Sequence, residues 1–590
     1  MGKELYTRWG RTLDPEHVLE EYPRPGLVRE NCLILNGYWD YAITKKKEHP
    51  EEYEGRILVP FSPEAPLSGV NRQLQPDEFL HYARTVILPE KRDGYRYLLH
   101  FGAVDQGCEI YWNGKRAGGH VGGYLPFTLD VTEFAVEGKN LLQVLVWDLS
   151  DTSYHAKGKQ SLERGGMWYT AQSGIWQTVW METVPDHYIS RLKLTPDYDH
   201  ARIRVKVLTN IPDRRVSATA KVTLRGEKVG QWKITANRSC DLELPGFESW
   251  SPESPTLYDI RIEMEQDIVS GYFGMRKYSM ERDKNGILRF FLNNKPCYHN
   301  GLLDQGYFPD GLYTAPSDEA LAYDIQTMKD LGFNMLRKHI KIEPERWYYH
   351  CDRIGMLVWQ DMVCGGDRYR SWFVTTMPNI FMWTGRIFSD RLYGLFSRKN
   401  GEGRREFRKE MKGTVRHLYS HPCIAVWVPF NEGWGQFDAA KVSKELRAMD
   451  PSRLIDEASG WFDQKGGDMY SIHNYWRKLR VRAKKDRAVA LTECGGYSYR
   501  DPEHSWCDEV YGYRKYTSRE KLTSGIARLW EKELIPNIRR GLAASVYTQV
   551  SDIEDEVNGL LTYDRESIKV DAEKMRSENQ ALMQTCEYLQ

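Results

Sequence analysis

The chain has 590 residues, with 82 basic and 82 acidic side chains and 41% hydrophobic residues. At roughly 150 residues per domain the length implies several domains, and the balanced charge leaves no surplus of Lys and Arg to neutralise a nucleic-acid backbone. Trp and Tyr, 19 and 36, outnumber the 19 Phe, a bias toward side chains with a flat apolar face and a polar edge, which suit interfaces, core corners and sugar rings alike.

No stretch approaches the roughly 18 to 20 apolar residues needed to span a bilayer; the strongest, Cys423 to Phe430, has the length of a buried strand. The opening MGKELYTRWGRTLDPEH lacks an apolar core behind its charges, so no signal peptide is read. Ten Cys are scattered singly, without the C-x-x-C spacing of a zinc site or redox pair. They read as buried thiols in a reducing compartment, and the expected location is cytoplasmic. The sequon Asn237-Arg238-Ser239 is then a chance match.

Residues 1–185 read as β structure, with alternating segments such as YRYLLHFGAV (95–104) and LLQVLVWDL (141–149). Asn113-Gly114 between CEIYW and KRAGG is a strong hairpin signal. A second β block, 186–279, carries RIRVKVL (202–208), KVTLRG (221–226) and TLYDIRIEME (256–265), and its size fits an immunoglobulin-like sandwich.

From 280 to 590 helices alternate with short apolar strands. Ser317 caps a helix with Asp318 and Glu319 in its first turn and Leu321, Ile325 and Met328 on one face, stopping at Gly332. FNMLR follows as a strand. Further helices are expected at 344–354, 404–419 and 439–449, and strands at 356–360, 424–429, 488–492 and 544–548. Such alternation means a parallel sheet, and its length favours a closed eightfold (β/α) barrel. A doubly wound open sheet is the alternative, but the Gly-rich phosphate loop it would normally carry is missing: GEGRRE (401–406) lacks the third Gly.

In such a barrel the residue just past a strand's C-terminal end faces the active site. CIAVWVPF runs directly into Asn431-Glu432, and AVALT into Glu493. Glycoside hydrolysis needs two carboxyl groups, one to protonate the leaving oxygen and one to attack the anomeric carbon or activate water. Either Glu alone is as readily a strand end paired with an Arg; two at equivalent strand ends carry more weight.

VWVPFNEGWGQFD with LTECGG resembles the acid/base and nucleophile segments of glycoside hydrolase family 2. The resemblance extends over most of the chain. FGAVDQGCEIYWNGKRAGGHVGGYLPFTLDVT (101–132) is similar to that family's sugar-binding jelly roll and GIWQTVW (174–180) to its exit. WSPESPTLYDI (250–260) and YFGMRKYSM (272–280) resemble its immunoglobulin-like sandwich, while NMLRKHI (334–340) and GMLVWQDM (355–362) resemble barrel strands.

The resemblance implies a jelly roll, an immunoglobulin-like sandwich and a TIM barrel. It implies Glu432 as general acid/base and Glu493 as nucleophile of a retaining β-glycosidase, on strands four and seven, with Asn431 holding the sugar 2-hydroxyl. Arg337 is the candidate to keep Glu493 ionised and His339 a substrate contact. Glu432 is expected to have a raised pKa, from burial and from the charge of Glu493.

Several positions depart from the family pattern. HNGLLDQGYFPDG (299–311) leaves Asp304 and Gln305 where a His-acid pair is usual, and Gln549 stands in place of an aromatic on the last strand. Asp552 is a candidate substrate ligand or else a solvated loop acid. His473 and Tyr475 are placed to contact the sugar or orient Glu493, with a satisfied buried His as the alternative. Trp434 is placed to stack on a sugar or aglycone, or to pack the rim. Cys494 reads as packing, and His350-Cys351-Asp352 lacks metal-ligand spacing.

The expected function is an exo-β-glycosidase, with β-galactosidase the commonest activity among relatives; no cofactor or metal is called for. β-Glucuronidase is the close alternative, though EDEVNGLLTYDR (554–565) lacks that activity's Asn-x-Lys element and carries acids that would repel a uronate. β-Mannosidase, β-glucosidase and α-L-arabinopyranosidase stay open. From another class, a non-catalytic carbohydrate-binding protein on a decayed scaffold fits less well, because Asn431, Glu432 and Glu493 are all present. The expected partner is a small-molecule or oligosaccharide glycoside, with no nucleic acid or membrane; a homo-oligomer is open.

Overall fold

The computed structural model describes residues 4–90, 92–384 and 388–587. In the first part an antiparallel six-stranded sheet packs on a four-stranded one. Their common core takes Trp39, Tyr82, Ile110 and Trp112 from the larger sheet and Leu99, Phe101, Val179 and Met181 from the smaller, as strand alternation requires. The Asn-Gly hairpin forms where expected: Gly107–Trp112 pairs with Lys115–Val121, Trp112 opposite Lys115. Asn113 and Gly114 take φ of 52° and 76°, the positive values a two-residue hairpin turn needs.

The second β unit opposes a three-stranded sheet to a four-stranded one around Ile203, Val205, Val222, Ile260 and Ile262. Its strands include Arg202–Thr209, Ser217–Leu224 and Tyr258–Met264. The Asn237 amide donates to the Thr209 hydroxyl and to the Ile211 and Arg214 carbonyls, so the sequon's acceptor nitrogen is spent inside the fold.

The rest is a barrel of eight parallel strands: β1 (His299–Asp304), β2 (Met335–Lys338), β3 (Leu357–Asp361), β4 (Ile424–Val428), β5 (Leu454–Ile455), β6 (Met469–Asn474), β7 (Ala488–Gly495) and β8 (Leu542–Thr548). They neighbour one another in sequence order, with β8 beside β1, which is barrel order and not the reversing order of a doubly wound sheet. Between β5 and β6 the Asp468 amide donates to the Ile455 carbonyl at 2.8 Å, so the cylinder is nearly closed. A hairpin of Tyr278–Arg282 and Leu288–Leu292 precedes it, with Phe290 fully buried in the barrel core.

Ser317 caps α1 (Asp318–Asp330) by accepting from the Ala320 amide, and Gly332 ends it at φ 90°. α2 (Glu345–Ile354), α3 (Gly401–Leu418), α4 (Ala439–Met449), α5 (Arg519–Leu529) and α6 (Ala572–Glu587) follow strands β2, β3, β4, β7 and β8. α3 starts before the expected Arg404 because the Asn400 side chain caps the Glu402 and Gly403 amides, outweighing two helix-weakening glycines. The alternation is incomplete: among the described residues no helix follows β5 or β6.

Candidate active site

Strands β4 and β7 bring Glu432 and Glu493 to the same mouth. A carboxylate oxygen of Glu432, one of Glu493 and a ring nitrogen of His473 all lie within 4.8 Å of one another. Glu432 has φ 50°, a left-handed conformation that costs a non-Gly residue about a kcal/mol or more. It is held by its own amide donating to Ser459 O at 2.8 Å and by the Trp434 amide donating to Asn431 O at 3.0 Å. Gly435 in the same turn is pressed against the Gly365 carbonyl, which an added Cβ would meet at 2.1 Å.

Arg337, at the end of β2, organises the floor. Its Nη1 donates to Glu493 Oε1 at 3.2 Å and to the Thr492 carbonyl at 3.1 Å, and its Nη2 donates to Asn431 Oδ1 at 2.9 Å. The Asn431 amide nitrogen is thereby oriented as a donor. Asp361, ending β3, also accepts from His339 Nδ1 at 2.7 Å. Burial lowers the His339 pKa, so the ring is neutral with its proton on Nδ1, and Nε2 is left as an acceptor. Tyr475 donates to Glu493 Oε2 at 2.5 Å and stacks on Tyr513, ring centres 4.0 Å apart.

His473, on β6, lies between the two carboxylates: Nδ1 is 2.8 Å from Glu432 Oε1 and 3.6 Å from Glu493 Oε2. Trp434 Nε1 donates to Glu432 Oε2 at 3.3 Å. The expectation of a raised Glu432 pKa fails here. Burial pushes it up, but the hydrogen bond and charge of His473, with Lys159 and Trp434 adding to them, hold it down to about 2. The expectation weighed the carboxylate neighbour and not the imidazole.

Two other expected residues stand apart from this cluster. The Asp304 carboxylate is taken by Lys338 Nζ at 2.8 Å and the Gly306 amide at 3.0 Å. Asp552 is neither a solvated loop acid nor part of the cluster: it is 1% exposed and binds Lys569 Nζ at 2.6 and 2.8 Å. Cys494 is buried, as expected of a packing residue.

Reading the sequence missed several groups. Asp361 ends the buried strand LVWQD and meets the same strand-end test as Glu493, so that signal was present. The segment 156–170 of the first β unit crosses to the barrel mouth with no such signal. Ala156 bridges to Gly365, Lys157 N donates to Cys364 O at 2.9 Å, and Gly158 is tucked between Ile340 O and Tyr313. Arg164 Nη1 binds Asp555 at 3.0 Å, and Tyr169 donates to Glu556. The strap thus delivers Trp168, edge-on to Trp434 at 5.3 Å, and Lys159, whose Nζ lies 5.5 Å from the Trp168 ring centre. A directed hydrogen-bond ring closes the wall beside it. Gln305 Nε2 donates to Gln549 Oε1 and the Tyr169 hydroxyl, Gln549 donates to Asn558, and Asn558 and Tyr169 donate to Glu556.

Residues 70–185 match the family model for the sugar binding domain of glycosyl hydrolases family 2, 187–276 the model described as glycosyl hydrolases family 2, and 286–480 that family's TIM barrel domain. A β-galactosidase of Halalkalibacterium halodurans is 24% identical over 551 residues, 82% of this chain and 49% of that protein. The chain spans about half the length, or less, of the first curated relatives it matches. Among solved structures, an uncultured Clostridium β-glucuronidase superposes with TM-score 0.71 at 19% identity, covering 94% of this chain and 99% of that one. A Dictyoglomus thermophilum β-D-glucuronidase gives 0.72 at 17% identity, covering 95% and 98%. At these identities the structures share the fold.

Proposed function

The chain belongs to glycoside hydrolase family 2, and from that premise we propose that it is a retaining exo-β-glycosidase acting on terminal β-linked sugars by double displacement. Glu493 is the nucleophile and Glu432 the acid/base. The carrying observation is the carboxylate spacing: facing atoms within 4.8 Å suit the roughly 5–5.5 Å of retaining enzymes and not the roughly 6.5–9.5 Å that leaves room for a water. Arg337 and Tyr475 hold and aim Glu493, Asn431 holds the 2-hydroxyl, and His339 Nε2 accepts from a ring hydroxyl. Trp434 and Trp168 flank the leaving group. In the first half-reaction Glu493 attacks the anomeric carbon while a proton reaches the leaving oxygen through Glu432; in the second, water attacks and its proton returns by Glu432.

For the sugar we favour a neutral one, β-D-galactose. Glu554 and Asp555 are taken up by Thr170 and Arg164, and Glu556, held by Tyr169 and Asn558, lies near enough to Glu493 for the charge of one to act on the other. A carboxylate there accepts from sugar hydroxyls and opposes a uronate. One observation favours the β-glucuronidase reading: Lys159 brings an ammonium into the mouth, where its charge acts on Glu432 and Glu556. A panel of p-nitrophenyl glycosides with purified protein tests the choice. Turnover of the β-galactoside above all others is expected; faster turnover of the β-glucuronide overturns it.

A further inference from the structure

We propose that His473 is a positioning residue that shares the catalytic proton with Glu432, so that the acid delivering it to the leaving oxygen is the pair and not a lone carboxyl. The inference rests on the glycosidase reading above. The imidazole is fixed on both nitrogens: Nδ1 is 2.8 Å from Glu432 Oε1, and Nε2 is 3.1 Å from the Ser459 hydroxyl. Its side chain has no exposed surface. A Cβ on Gly460 would come within 2.8 Å of Nδ1, and Trp461 closes the ring edge-on at 5.3 Å.

A ring nitrogen and a carboxylate oxygen at that distance hold a proton between them, since two lone pairs face to face repel. The charged groups around the imidazole are Glu432 from β4, Glu493 from β7 and Asp456 from the loop after β5, with Lys159 acting on Glu432 from the strap. Arg337 is matched by Asp361 and Glu493. Carboxylates dominate that set, and the one in hydrogen-bond contact with Nδ1 is Glu432.

The proton inventory closes. On attack by Glu493 the glycosidic C–O bond breaks, Glu432 gives a proton to the leaving oxygen and takes the Nδ1 proton of His473. The aglycone departs as a neutral alcohol, leaving a glycosyl ester, a neutral imidazole and the Glu432 carboxylate. Water then bonds to the anomeric carbon, the ester C–O bond breaks, and the water proton passes through Glu432 back to Nδ1.

His473→Asn retains a donor facing Glu432 and loses the titrating ring. With a carboxyl as the proton's remaining seat, ordinarily near 4.3 against about 6.5 for imidazole, the alkaline limb of kcat/KM moves to lower pH by about one unit or more. At pH 7 an alkyl β-galactoside loses at least about tenfold, whereas a 2,4-dinitrophenyl galactoside, needing no acid, changes by less than about threefold. An alkaline limb coinciding with wild type overturns the proposal, because a purely structural hydrogen bond is kept by Asn. If the variant does not fold, the wild-type enzyme with ¹⁵N-labelled histidine serves. Its His473 Nδ1 resonance should move from protonated toward neutral once Glu493 is trapped as an ester, and an unmoved resonance is equally contrary. Wild type inactive on every glycoside would instead sink the glycosidase reading itself.

Discussion

Arg337 and Asp361 meet fork to fork: Nε to Oδ1 and Nη2 to Oδ2, both at 3.0 Å, with neither side chain more than 1% exposed. The pair fixes the guanidinium plane, and that plane aims the remaining hydrogens at Glu493 and Asn431. Lysine retains the charge and loses the fork. Arg337→Lys is therefore expected to lower kcat about a hundredfold with a smaller change in KM. Arg337→Ala, leaving the buried Asp361 with only the His339 ring as partner, is expected to destabilise by about 3–5 kcal/mol. Steady-state kinetics and urea unfolding check the two outcomes separately.

Glu493→Gln removes the nucleophile and should abolish turnover of every substrate. Glu432→Gln should cost about 10²- to 10⁴-fold on alkyl glycosides and far less on dinitrophenyl glycosides. Equal losses on both classes in the Glu432 variant would count against the assignment.

Trp168 belongs to the strap and reaches the mouth through Trp434. If it flanks the leaving group, Trp168→Ala raises KM about fivefold for aryl glycosides, the value of roughly 1 kcal/mol of aromatic contact, and leaves methyl glycosides nearly unchanged. An equal effect on both would place Trp168 in packing alone.

Acid stability follows from Glu182, a fully buried carboxylate between the two β units. It accepts from Arg24 and Arg29, each at 2.7 Å, from Tyr22 at 2.5 Å and from Trp180 at 3.0 Å. Burial opposes the charge, but Arg24, His100, Arg29 and Tyr22 outweigh it and hold the pKa far below normal. A depressed folded-state pKa gives stability that is fully present above the unfolded value of about 4.3 and is lost as pH falls toward the folded one. The thermal midpoint should therefore drop below about pH 4.5, and less steeply in Glu182→Gln, which starts lower. Identical slopes in the two proteins would remove Glu182 as the cause.

The fold was largely legible because its signals are local: the Asn113-Gly114 turn, the Ser317 cap and apolar strands ending in acids. The same strand-end test found Glu432 and Glu493. What was not legible depends on contacts far apart in the chain. Asp304 and Asp552 looked like mouth residues until Lys338 and Lys569 were seen to take their carboxylates. Lys159 and Trp168 lie in a β-domain segment whose route to the barrel has no local pattern. The low Glu432 pKa depends on His473, 41 residues away in sequence.

The central claim is that Glu493 attacks the anomeric carbon. Incubation with 2,4-dinitrophenyl 2-deoxy-2-fluoro-β-galactoside, followed by mass spectrometry of the intact protein and its peptides, tests it most directly. The account predicts one fluoroglycosyl group per chain, esterified to Glu493, with a burst of dinitrophenolate of matching size. An adduct on another residue, or none while the sugar binds reversibly, would contradict it.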